Sequence, residues 1–127
     1  VSAQQELHVV LLSNDPNRVF PALSLVLGAR AMGVPGSLYC AQAGLDAVLK
    51  EKSEKIQLPG YPPASKFVRD AISAGAYVCA CAPSKQILEQ MGVRPDTVIE
   101  GVQLEDAITF LKRALAAAKN GGIVTFI

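Results

Sequence analysis

The chain has 127 residues, enough for one domain with a buried core and too few for two. Its 12 basic and 11 acidic residues are scattered for a formal charge of +1, so no basic stripe suited to nucleic acid exists, and no apolar run approaches the roughly 18 residues of a membrane span. Half of the residues are hydrophobic, which puts the chain at the apolar end for a soluble protein and predicts apolar surface that something other than its own core must cover.

Val1–Ser2–Ala3–Gln4 does not read as a signal peptide. Leu7–His8–Val9–Val10–Leu11–Leu12 reads as a strand buried on both faces, ending at the turn cluster Ser13–Asn14–Asp15–Pro16–Asn17. Val19 to Met32 reads as a helix closed by Gly33, with Pro21 in its first turn and apolar residues on several sides. Ser37 to Ala41 reads as a second strand and Leu45 to Lys50 as a short helix. The charged run Lys50–Lys55 and the turn-forming run Leu58–Pro63 then predict a long loop, solvated or functional. Phe67, Val68, Ala71 and Ile72 mark a third helix stopped by Gly75, and Tyr77 to Cys81 reads as a third strand. A fourth helix carries Ile87, Leu88 and Met91 and stops at Gly92; Thr97 to Glu100 reads as a short strand. Leu104, Ile108, Leu111, Leu115 and Ala118 recur at helical spacing, which predicts a fifth helix with Glu105, Thr109, Lys112 and Lys119 on its solvent face, before a last strand, Ile123 to Ile127.

Strands alternating with helices, on connections too long for hairpins, predict an α/β fold: a three-layer, five-stranded, mostly parallel sheet with helices on both faces, in a single domain over 1–127. No internal repeat and no low-complexity segment interrupts it.

In such a sheet, ligands bind beyond the carboxyl ends of the strands, where helix N-termini point into a crevice. Ser13–Asn14–Asp15, Ala41–Gln42–Ala43–Gly44 and Cys81–Ala82–Pro83–Ser84 follow the first three strands there, so Ser13, Asn14, Gly44, Ser84 and Lys85 are the candidate substrate-binding residues. Cys81 is the cysteine best placed to reach them. A cysteine acts as a nucleophile only as its thiolate, a form that the start of a helix near Ser84 and the cation of Lys85 would favour. Ser84 also reads as that helix's N-cap. Cys79 leaves an extended strand on the same face, about 6.6 Å away from two rises of about 3.3 Å, so a disulfide with Cys81 requires the chain to bend at Ala80. Cys79 and Cys40 also fit as small packing residues, and the residues alone leave core filler, disulfide and reactive thiol open. A metal site has little to be built from: there is one histidine, His8, which reads as a core residue, and no CxxC pair. Three cysteines are too few for a secreted disulfide framework and point to a reducing compartment, the cytoplasm. No glycine-rich phosphate loop follows the first strand, which sets nicotinamide and ATP chemistry well behind.

Taken in order, LLSNDPNRVFPALSLVLGARAMG, SLYCAQAGLDAVLK, AYVCACAPSKQILEQMG, DTVIEGVQLEDAITFL and IVTFI resemble the DsrE/DsrF-like family of sulfur-relay proteins over nearly the whole chain. The shared features are a Gly–hydrophobic step after the second strand (Gly44–Leu45), a strand ending in cysteine, and an IEGV-like segment (Ile99–Val102). That resemblance implies a flavodoxin-like domain that assembles into homotrimers or homohexamers. It implies a sulfur carrier or sulfurtransferase subunit that holds sulfane sulfur as a cysteine persulfide and passes it to another protein's thiol, with no cofactor. Donor and acceptor proteins would be its partners. Ten residues separate Cys81 from Gly92, so both Cys79 and Cys81 compete for the family's reactive position. Two alternatives on the same fold are a module that binds a small anion or nucleotide fragment without covalent chemistry, and a structural subunit with inert cysteines.

Overall fold

Three hydrophobic strands form the middle of the molecule. In a computed structural model, which describes residues 5–82 and 85–127, β1 (Leu7–Leu11), β2 (Gly36–Cys40) and β3 (Tyr77–Cys81) lie side by side, and all are parallel. Every residue of β2 is buried, as the central position in the sheet requires. Two shorter edge strands complete the order β4-β3-β2-β1-β5, with β4 at Gln103–Glu105 and β5 at Ile123–Phe126. The expected three-layer, five-stranded α/β fold is therefore present, and its sheet is wholly parallel.

Strand order decides where the helices go. From β1 to β4 the chain steps steadily in one direction, so right-handed crossovers put the connecting helices on one face; the return from β4 to β5 puts its helix on the other. The first face carries α1 (Pro16–Ala31), α2 (Lys50–Glu54), α3 (Ala64–Ser73) and α4 (Lys85–Met91). It holds the main core, in which Val9, Leu11, Leu23, Val26, Leu38 and Val78 are almost fully shielded. Each such side chain contributes about 1.5–3 kcal/mol by leaving water. Among the described residues the second face has α5 (Ala107–Lys119) alone, over a smaller cluster of Val10, Tyr39, Cys79, Phe110 and Ala114.

Several elements differ from the sequence expectation. Helix α1 begins a turn early because Asp15 caps it through the Asn17 N–H at 2.9 Å, which leaves Pro16 at the first turn and Pro21 inside the helix. The residues read as a helix from Leu45 form a 3-10 turn over Gln42–Ala47, and the charged run expected as loop forms α2. The remainder of that segment folds back on the main-core side: Tyr61 packs edge-on to Phe20 at 5.1 Å and Leu58 packs against the main core, on the face opposite Cys79 and Cys81. Thr97 to Glu100 is no sheet strand; Val98 makes one isolated antiparallel bridge with Leu49, while Val98 and Ile99 fill the core. The edge strand is instead Gln103–Glu105, which takes Leu104 and Glu105 out of the fifth helix.

The apolar stripe read as the buried face of that helix is its outer face. Ile108, Leu111 and Leu115 are 69%, 53% and 62% exposed, and Phe110, Ala114 and Ala117 face the sheet. Among the described residues no helix is long and apolar enough to cross a membrane.

Gly44 fixes the turn after β2. A Cβ there would lie 2.1 Å from the backbone oxygen of Leu11, so the 3-10 turn closes over the end of β1 only because the side chain is absent. We expect Gly44→Ala to lower stability by about 1–3 kcal/mol, as overpacking against backbone does. Chemical denaturation checks this, and an unchanged midpoint would contradict it.

Candidate functional site

The alternation of β3 turns Tyr77, Cys79 and Cys81 toward the face that α5 covers. On the same face, register places Tyr39 of β2 opposite Cys79, and Glu105 of β4 opposite Cys81. The expectation that both cysteines share a face holds. Both are free thiols in a regular strand, so Ala80 makes no bend toward a disulfide. Among the described residues, Cys81 at the carboxyl end of β3 is the partly exposed cysteine, while Cys79 and Cys40 are each 0% exposed.

Glu105 and Arg113 organise the space under α5. Arg113 approaches one carboxylate oxygen of Glu105, Oε1, with Nη2 at 2.6 Å and Nε at 3.2 Å. The other, Oε2, accepts from the Tyr77 hydroxyl at 3.0 Å and lies 4.0 Å from Cys79 Sγ. Arg113 Nη2 is also 3.7 Å from that sulfur, and its guanidinium lies over the Tyr77 ring, 4.6 Å from the centroid. Burial, and then the Glu105 charge, push the Cys79 thiol up to about 12, against the opposing pull of Arg113, so it is protonated at neutral pH. Burial, followed by the Glu105 hydrogen bond, pushes Tyr77 up to about 12 as well.

Tyr39 serves the other cysteine. Its ring stacks on Phe110 with centroids 4.3 Å apart, and its hydroxyl, which donates to the Glu105 backbone carbonyl at 3.5 Å, lies near enough to Cys81 for that thiol to bear on its ionisation. Burial first, and then the neighbouring Cys81 thiol, hold the phenol above its usual range, so it stays protonated. Burial likewise raises the Cys40 thiol, which is surrounded by the main core, as the packing reading of that residue requires.

His8 is buried, as expected of a core histidine, but both its nitrogens are engaged: Nδ1 with Ser37 Oγ and Nε2 with Glu6 at 3.0 Å. Arg113 Nη1 also approaches Nδ1, at 3.4 Å. A cavity of about 130 Å³, lined by residues including Glu6, His8, Ser37, Tyr77 and Arg113, opens beside this group.

Ser13, Asn14 and Gly44 are engaged in the turns after β1 and β2. Ser13 Oγ accepts from the Asp15 N–H at 3.0 Å, and Asn14 donates to Asp46 at 3.1 Å, so both serve the turns after β1 and β2. Gly44 is a packing requirement, as above. Ser84, expected as a helix cap, lies outside the described residues; Lys85 begins α4, and only its backbone is described. Among the described residues no group of three or more His, Cys, Asp or Glu could hold a metal.

Glu105 and Arg113 are absent from the sequence expectation of the site. Glu105 reads there as a solvent-facing helical residue. The signal that would have moved it is Asp106, whose carboxylate accepts from the Thr109 N–H at 2.7 Å and so starts the helix one residue later.

No family model matches the chain, and no curated protein matches it. Among solved structures it is similar to the protein of unknown function MTH1491 from Methanobacterium thermoautotrophicum, with 17% identity and a TM-score of 0.72 over 98% of this chain and 100% of that one. At that identity the likeness shows the fold alone.

The shielded Cys79 thiol and the hydrogen-bonded, partly exposed Tyr77 phenol give a sign for alkaline stability. Cys79 and Tyr77 ionise at about 12 in the fold, against ordinary values of 9.0 and 10.0, so between these limits the unfolded chain releases protons that the folded chain keeps. Stability is then fully present below about pH 9 and falls as pH rises toward about 12. Thermal melts at stepped pH check this: Cys79→Ser should flatten part of the fall, and a wild-type melting temperature level from about pH 8 to about pH 11 would contradict it.

Proposed function

We propose that the chain is a sulfur carrier whose entry thiol is Cys81. The observation that carries the reading is the contrast among the cysteines: Cys81, at the carboxyl end of a strand inside the sheet and near the Tyr39 phenol, is partly exposed, while the other two are shielded. The Cys81 thiolate attacks the outer sulfur of a donor persulfide. A sulfur–sulfur bond forms at Cys81, the donor's own sulfur–sulfur bond breaks, and the donor departs as a thiolate that takes up a proton. An acceptor thiolate later attacks the same outer sulfur and releases Cys81. Each transfer exchanges one thiol for one persulfide, so electrons balance and no cofactor is needed. The Tyr39 hydroxyl, held long at 3.5 Å on the Glu105 carbonyl, is the nearby donor that turns to the sulfur at the moment it carries charge. Donor and acceptor proteins are its partners, and a reducing compartment such as the cytoplasm suits a working thiol.

Self-association belongs to the same reading. Helix α5 is alone on its face and turns Ile108, Leu111 and Leu115 outward at intervals that form one stripe, and β5 beside it exposes Ile123 and Phe126. A second copy of the chain offers the same stripe in return, and a net charge of +1 opposes its approach little.

Incubation with sodium polysulfide followed by intact-mass spectrometry tests the carrier. Wild type and Cys79→Ser should gain the mass of sulfur and Cys81→Ser should not; equal gain by Cys81→Ser would contradict the assignment. For assembly, light scattering should find wild type larger than one chain, with Leu111→Glu weakening association by about thirtyfold, from roughly 2 kcal/mol for a central apolar contact. A monomeric wild type would contradict the shared stripe.

A further inference from the structure

Cys79 and Cys40 are equally buried but differently surrounded. Cys40 sits among main-core side chains, whereas Cys79 has a carboxylate oxygen at 4.0 Å and a guanidinium nitrogen at 3.7 Å. The carboxylate is fixed by two bonds from Arg113 and one from Tyr77. A base and a cation therefore flank one shielded sulfur, which packing alone does not call for. Along an extended strand, Cys79 and Cys81 lie about 6.6 Å apart on the same face. A persulfide lengthens the Cys81 side chain by one sulfur–sulfur bond of about 2.05 Å, which brings its outer sulfur within reach of Cys79 when it turns inward.

We propose that Cys79 is a second sulfur station, to which the outer sulfur of a Cys81 persulfide moves within the chain. The proposal rests on the carrier reading of Cys81. Glu105 takes the proton of the Cys79 thiol, and the thiolate attacks the outer sulfur. A sulfur–sulfur bond forms at Cys79, the one at Cys81 breaks, and Cys81 leaves as a thiolate. Glu105, directly across the strand pair from Cys81, returns the proton to it. One persulfide and one thiol stand on each side of the step, so nothing is oxidised or reduced. Arg113 faces the charge on Cys79 throughout. The sulfur gains shelter from solvent thiols, and the reverse step brings it back to Cys81 for delivery.

A time course with sodium polysulfide, quenched by excess iodoacetamide and read by peptide fragmentation that separates Cys79 from Cys81, tests this. In wild type the added sulfur should appear first on Cys81 and then on Cys79. In Cys81→Ser, Cys79 should stay unloaded over the same period. In Glu105→Gln the passage from Cys81 to Cys79 should slow by about a hundredfold, as loss of a general base does. Sulfur that remains on Cys81 throughout overturns the second station and leaves the carrier standing. Loading of Cys79 in Cys81→Ser at the wild-type rate overturns the passage between them. No sulfur on either thiol overturns the carrier and the station together.

Discussion

The pairing of Arg113 with Glu105 joins α5, which among the described residues is the one helix on its face of the sheet, to an edge strand of three residues, and Cys79 lies between them. Glu105 is nearly buried and Arg113 partly so, which means that removing either partner strands a charge beneath α5 at a cost of about 3 kcal/mol. The same guanidinium packs over Tyr77 and reaches Cys79 and His8. A single side chain thus ties α5 to β4 and sits against the buried sulfur.

Topology explains why this face is polar inside and apolar outside. With the other helices assigned to the opposite face by the strand order, α5 must cover the second face alone. Small residues, Ala114 and Ala117, let it come close over the polar groups, and Phe110 meets Tyr39 at the carboxyl end. Its larger aliphatic side chains then have nowhere to go but outward. The high apolar content of the chain and the partial exposure of Cys81 follow from one cause, a sheet face covered by one helix.

The central strands were legible because strands buried on both faces leave a continuous apolar signal: Tyr77–Cys81 falls where the sequence places it, and β1 and β2 fall within a residue. The edges were legible in part: β5 falls within a residue of its expected range, and β4 was missed. Val98 and Ile99 carry the β-branched signal of a strand but spend it on core packing in a connection, whereas Gln103–Leu104–Glu105 pairs with β3 through backbone that composition does not reveal. Helical periodicity identified the stripe of α5 and assigned it to the wrong side, since periodicity reports that a face is apolar and not what covers it. The shared face of Cys79 and Cys81 follows from strand geometry alone. Their charged neighbours come from β4 and α5, distant in sequence, and only the sheet register brings them together.

The measurement closest to the central claim is native-state alkylation with iodoacetamide, with each cysteine followed separately over time. Cys81 should be modified first, while Cys40 and Cys79 stay unmodified until the protein is unfolded. Modification of Cys79 ahead of Cys81, or of Cys81 no faster than Cys40, would contradict the assignment of Cys81 as the thiol that meets the outside.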